Sequence, residues 1–217
     1  MNKLLRKELR LGASPLSFFF IAAGLLALVP GYPILLGAFF TTLGIFYSFQ
    51  TMRENNDITY SALLPVTKTD IVKGKFAFCV FIELCAFLVM MLATLLRMTL
   101  WKDAAVYREN ALMNANPAFL GFALVLFGCF HIVFFRGFFK TAYYFGKPFI
   151  LYCATAILLI FIAEALHHIP GLEAINAFGF DSLNIQLPAF FCGLLLYAAL
   201  SAFAVRSACR SFEKLDL

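Results

Sequence analysis

Apolar positions fall in long blocks along this chain, separated by short polar segments. The blocks cover roughly residues 16–30, 33–50, 74–96, 118–135, 148–167 and 188–205. Each is near the length an α-helix needs to cross about 30 Å of hydrocarbon. No ten-residue alternating pattern marks a β-barrel, and backbone groups in lipid must be satisfied within their own segment. The pattern therefore predicts an all-α membrane protein with six transmembrane helices. The block at 16–30 is the shortest, and Pro30-Gly31-Tyr32-Pro33 predicts a tight turn into the next.

Ahead of the first block, residues 3–10 read KLLRKELR. Leu4, Leu5 and Leu9 share one helical face, and Lys3, Arg6, Lys7 and Arg10 cover the rest. That is the pattern of an amphipathic helix lying in the membrane interface within residues 1–14, broken by Ser14-Pro15. A signal peptide also begins with a basic stretch and an apolar core, but no small-x-small cleavage site follows here.

Local signals support the blocks. Thr67-Lys68-Thr69-Asp70 reads as a capping box opening the third span. Asn116-Pro117 places a cap and a first-turn proline before the fourth. Pro148 and Pro188 read the same way for the fifth and sixth.

Composition agrees with the pattern. The 217 residues are 63% hydrophobic and 13% charged, far from the balance of a soluble domain. One domain spanning 1–217 is expected. The net charge of +5 does not indicate nucleic acid, because the charges sit at the ends of apolar blocks. Lys and Arg are partitioned: fourteen lie in the N-terminal stretch, in loops 51–75 and 136–147 and in the C-terminal tail, and three (Arg97, Lys102, Arg108) on the other side. The positive-inside rule then places both termini in the cytoplasm. Trp101 and Tyr107 are read as interface anchors on the outer side, and residues 168–187, free of Lys and Arg, as a short element dipping back toward the membrane. Five of the six cysteines lie inside apolar blocks and none form a CxxC pair, so they are read as small hydrophobes.

One polar segment stands out: residues 52–76, MRENNDITYSALLPVTKTDIVKGKF. Residues 57–64 predict two helical turns with Asp57 as N-cap. Pro65 stops them, and the next helix starts at Thr67. A short helix, a sharp turn and a long rod entering the membrane make a unit that transmits force. The alternative is an ordinary solvated loop.

With its basic N-terminal helix, six spans and this loop, the chain resembles the membrane subunit of bacterial type-2 ATP-binding-cassette exporters. The residues that carry the likeness are Glu54, Leu64, Pro65, Val66, Thr67, Lys68, Ile71, Val72, Gly74 and Lys75. With no large outer domain, it looks most like the small permeases that export peptides, among them those of phenol-soluble modulin exporters. The resemblance implies that loop 51–75 holds a coupling helix docking on a separate ATPase subunit, with Glu54, Asn55, Asn56, Asp57, Tyr60, Leu63, Leu64 and Pro65 as its candidates. It also implies a second permease subunit, identical or not, a substrate path between the two permeases, amphipathic peptide cargo and a bacterial plasma membrane.

The chain carries no P-loop. Gly74-Lys75 is followed by Phe76, and Gly146-Lys147 by Pro148, with Thr69 and Thr141 where the first glycine belongs. No cofactor is expected in this chain, and ATP and Mg are expected on the partner.

Two polar groups fall inside the apolar blocks. Glu83 lies eight residues past Lys75, about 12 Å deep, and His131 lies five residues before Arg136, about 7–8 Å deep from the same side. An intramembrane carboxylate requires a partner, so a Glu83–His131 contact is predicted, with gating as its candidate role and a plain interhelical hydrogen bond as the alternative. Glu164, His167 and His168 form an outer cluster. Glu164 and His167 share a helix face at i, i+3, but a metal site needs a third ligand, and Asp181 is the only candidate. Interfacial placement of these tips is the expected reading, with no metal and no catalytic residue. The Phe-rich runs around 17–21, 39–49 and 133–145 are read as lipid-facing bulk, with a path for amphipathic cargo as the alternative. Gly37, Ala38 and Gly44 mark a face for close helix approach, within the chain or across a dimer. Two other functional classes stay open: an intramembrane metal-dependent enzyme built on Glu164, His167 and His168, and a membrane anchor or assembly factor that transports nothing.

Overall fold

The computed structural model describes residues 2–108 and 110–215. Among the described residues every regular element is helical. In chain order these are α1 (Asn2–Lys7), running into a π-turn (Glu8–Gly12); α2 (Pro15–Phe19), running into a 3₁₀ segment (Phe20–Leu28); α3 (Leu36–Glu54); α4 (Asp57–Ala62); α5 (Lys68–Thr99); α6 (Ala105–Arg108); α7 (Pro117–Cys129), a π-helical stretch (Phe130–Phe135) and α8 (Arg136–Phe138); α9 (Gly146–Leu166); a 3₁₀ turn (Glu173–Asn176); and α10 (Leu183–Glu213).

Among the described residues four helices are long and apolar enough to cross a membrane: Lys68–Thr99, Pro117–Phe138, Gly146–Leu166 and Leu183–Glu213. The pair Lys3–Gly12 and Pro15–Leu28, bent by 102°, makes a fifth if it counts as one span. The bend follows from Ser14, extended at ψ 142°, and from Pro15 at the first helical position. A 3₁₀ helix rises about 2.0 Å per residue against 1.5 Å for an α-helix, so the segment from Pro15 to Leu28 extends about 25 Å despite its shortness. α3 has the length of a span, but Gln50, Arg53 and Glu54 in its last turns lower its apolar character.

Consecutive long segments run antiparallel, which gives the bundle two ends. At the proximal end Asp57 meets both Lys7 and Lys75. Arg53 lies over the rings of Tyr143 and Phe145 there, Lys68 donates to the Leu215 carbonyl, and Phe139 packs on Phe212. At the distal end Arg97 donates to the Ala27 carbonyl, Tyr107 to the Leu28 carbonyl, and the Met113 N–H to Glu164.

The caps read from the sequence are present. Thr67 and Asp70 form the capping box of α5, and Asn116 accepts from the Phe119 N–H ahead of Pro117. Pro188 is different. It lies inside α10, which begins at Leu183, and its missing N–H leaves the Asn184 carbonyl without its helical bond. Residues 168–187 fold back over the start of α7: Asn116 donates to the Ile175 carbonyl (2.8 Å) and Gln186 to the Ala177 carbonyl (2.8 Å).

α7 is the enclosed helix, and much of its surroundings is phenylalanine. Phe134, Phe135, Phe138 and Phe139 are fully buried; the first three pack with Phe46 or Phe49, and Phe139 packs on Phe135 and Phe138. This corrects the lipid-facing reading of that run: where every residue is apolar, hydropathy does not separate the inner face from the outer. Phe18 and Phe19 do point outward. The small-residue face of α3 packs within the chain rather than across a dimer. A Cβ on Gly37 would come 2.6 Å from the Ala23 carbonyl oxygen, and one on Gly44 would come 3.0 Å from Ser17 Cα. All six cysteines are free.

Candidate functional site

The polar segment between α3 and α5 is built around one short helix. Asn56 caps α4 with φ 51°, a left-handed conformation that Asn tolerates. Asn56 therefore holds the N-cap position expected of Asp57, and this frees the Asp57 carboxylate. Lys7 Nζ lies 2.6 Å from one Asp57 oxygen, and Lys75 Nζ lies 2.5 Å from the other. Glu8 lies 3.1 Å from Lys75 and 3.2 Å from Lys7, and Lys7 also donates to Ser61 Oγ on α4 (2.7 Å). Two cations and two anions thus alternate around one junction that joins the N-terminal helix, α4 and the start of α5.

Burial makes this junction consequential. Lys75 is 0% exposed and Glu8 is 2%. A charge so placed is costly unless its partners stay. Burial pushes the Asp57 carboxyl up, and the ammonium groups of Lys75 and Lys7 outweigh it, holding the carboxyl below its usual range. Two glycines admit the packing: a Cβ on Gly74 would meet Leu4 Cβ at 3.1 Å, and one on Gly12 would meet Glu8 Oε2 at 2.7 Å. The Gly74-Lys75 pair thus has a local reason: the glycine admits α1 and the lysine binds its carboxylate.

The opposite face of α4 is bare. Ile58 and Ser61 point inward, while Tyr60 is 66%, Leu63 78% and Leu64 46% exposed, with Pro65, Asn55, Asn56 and Glu54 also exposed. Glu54 accepts a hydrogen bond from Gln50 (3.1 Å). Adjacent large apolar side chains with a polar rim, at the end of a bundle, have the chemistry of a docking surface.

Deeper in the bundle, Glu83 and His131 meet. His131 Nε2 lies 3.1 Å from Glu83 Oε1, and both side chains are buried. The approach is close but off the hydrogen-bond direction. Better directed bonds flank it. Tyr197 donates to Glu83 Oε2 (3.0 Å), and His131 Nδ1 pairs with Ser201 Oγ (2.8 Å). His131 sits in the π-helical stretch of the fourth long segment, where a wider turn re-aims side chains. α5, the π-helical stretch of the fourth long segment and α10 are thereby tied at one depth.

The outer cluster is arranged for other work. Glu164 Oε2 accepts from the Met113 N–H (2.8 Å), and His167 Nε2 lies 3.3 Å from the Ala111 carbonyl oxygen. Asp181 lines a separate hollow with Lys102 and Arg108. Among the described residues no three His, Cys, Asp or Glu side chains are grouped to hold a metal ion.

Sequence reasoning missed Lys7, Glu8 and Lys75 as site residues. The available signal was charge: opposite signs at 7, 8, 57 and 75, in three segments assigned to the same side of the membrane.

A family model described as ABC-2 family transporter protein matches residues 3–208. No curated protein and no solved structure matches the chain.

Proposed function

Because the chain belongs to the ABC-2 family of transporters and is an ABC permease subunit, we propose that a separate ATPase drives it through α4 and that it exports amphipathic peptides as half of a permease dimer. The observation that carries the reading is the two-sided character of α4. Its inner face is bound to α5 and α1 through Asp57, Lys75 and Lys7. Its outer face presents Tyr60, Leu63 and Leu64 to solvent. A partner that closes on the outer face moves α4, and the buried ion pairs oblige α5 to follow.

In this reading the proximal end is cytoplasmic, both termini lie there, and the chain crosses a bacterial plasma membrane six times. The fourteen Lys and Arg residues assigned to that side support the orientation. Segment 15–28 and α3 supply the two crossings beyond the four most apolar helices. ATP and Mg belong to the partner chain. The outward apolar faces of α9 and α10, with Ile157, Phe161 and Leu195 exposed, are available to lipid and to a second permease. The cargo class rests on the likeness of this bundle, short and with no large outer domain between its spans, to the small permeases that export peptides. Glu83 and His131 then lie on the helices that must shift for a path to open.

The test is a pull-down of the tagged chain from its native membranes. Wild type is expected to retain an ATPase with P-loop sequences and measurable ATP hydrolysis, and Leu64→Asp to lose both while keeping its melting temperature. Retention of the ATPase by Leu64→Asp contradicts docking at α4.

A further inference from the structure

A hollow of about 580 Å³ opens at the proximal end, between the close of the fourth long segment and the start of α9. That is the size of a small-molecule site. Arg136, Lys140 and Lys147 stand at it, and among the described residues no carboxylate lines it. Among the described residues none of these three cations forms an ion pair. Arg136 Nε donates to Ser207 Oγ (2.9 Å) and its guanidinium faces the Phe203 ring. These contacts fix the group and leave its terminal nitrogens for a ligand. α9, 21 residues long, begins at Gly146 beside the same opening, so its positive end adds to the field.

The walls differ from the mouth. Ile132 lies one turn before Arg136, and Leu151 one turn past Lys147, so with Val133 they form an apolar lining about 6 Å further along the helices from the mouth. A close approach seats the two segments here: a Cβ on Gly137 would come 2.9 Å from Pro148 Cβ. Three uncompensated cations over an apolar shaft, at the membrane boundary, match an anion that carries hydrocarbon. A free anion satisfies the mouth and leaves the shaft unused. Basic pockets between transmembrane helices are suited to acidic lipid headgroups.

We propose that this hollow binds an anionic phospholipid, with its phosphate at Arg136, Lys140, Lys147 and the start of α9, and an acyl chain along Ile132, Val133 and Leu151. Occupation would brace α9 against the fourth segment.

The experiment uses the purified full-length chain in neutral detergent, titrated with phosphatidylglycerol, phosphatidylcholine or inorganic phosphate. Bound lipid is read by native mass spectrometry and stability by melting temperature. Phosphatidylglycerol is expected to bind and raise the melting temperature, and the other two to do neither. Lys140→Gln with Lys147→Gln, both exposed, should weaken binding about 25-fold, at roughly fivefold per surface lysine. Val133→Trp, which fills the shaft and keeps every charge, should also lose the lipid. Lys3→Gln with Arg6→Gln, at the same end but lining a separate hollow, should change binding less than about twofold. Equal effects of the two charge pairs would mean a diffuse surface attraction and overturn the site. An equal response to inorganic phosphate overturns the lipid assignment. No preference for phosphatidylglycerol over phosphatidylcholine overturns it as well, and leaves the three cations to an acidic protein segment.

Discussion

Lys75 and Arg97 ride on the same helix, α5, both fully buried, at opposite ends of the bundle. Their separation along the helix is about 33 Å, close to the thickness of the hydrocarbon core. Each is satisfied differently. Arg97 donates to the Ala27 carbonyl (2.8 Å) and lies over the Tyr107 ring at 4.2 Å, so it anchors backbone and loop. Lys75 is held by Glu8 and Asp57, carboxylates on two other elements. Hence the distal cation ties backbone and loop to α5, and the proximal one ties two other elements to it through charge.

Lys75→Met should therefore cost about 3–5 kcal/mol, the range for breaking a buried ion pair from one side. Combining it with Glu8→Gln should recover part of that loss, since the stranded carboxylate is then gone. Thermal unfolding of the two single variants and the double gives the coupling, expected at about 0.5–3 kcal/mol. Arg97→Met should lower the melting temperature too, yet leave partner ATPase association intact.

The Glu83–His131 contact is expected to couple in the same kind of cycle. Glu83→Gln and His131→Ala should be non-additive by more than about 0.5 kcal/mol, read by melting in detergent. Additive effects would mean that the 3.1 Å approach carries no energy and that the Tyr197 and Ser201 hydrogen bonds do the holding.

Helices α7 and α10 touch where both carry glycine. A Cβ on Gly193 would overlap the Gly121 carbonyl oxygen. Gly193→Leu should cost at least about 1–3 kcal/mol by forcing the helices apart. The same substitution at Gly146, which has open space, should be close to neutral by the same measurement.

The pH dependence of the α4 junction has a defined sign. Asp57 has a lowered folded-state pKa, so its contribution is full above its unfolded value, about 3.9, and is lost as pH falls through the lower folded value. The melting temperature of wild type should fall in that acidic range, and Asp57→Asn should show a shallower fall there. A junction that loosens near neutral pH would contradict the geometry.

Much of the bundle was legible because long apolar blocks and caps report local physics. Thr67 with Asp70 and Asn116 with Pro117 start their helices as read. Depth along a helix is also simple arithmetic, and it brought Glu83 to His131. What stayed hidden depends on tertiary facing. Glu8 sits in a stretch that reads as a basic amphipathic helix, and a π-turn carries it inward to Lys75. Phe134 to Phe139 look the same as lipid-facing residues to any hydropathy count. α10 begins five residues before its proline because its first turns are held by Gln186 and the 168–187 segment rather than by a local cap.

The most direct test of docking at α4 is a photoreactive residue at Leu63, the most exposed apolar side chain of that turn, with Leu92 on the outer flank of α5 as control. Irradiation in native membranes should join position 63 to an ATPase chain bearing a P-loop and join position 92 to none. An adduct at 63 that contains no ATPase, or equal labelling from both positions, would contradict a coupling role for α4.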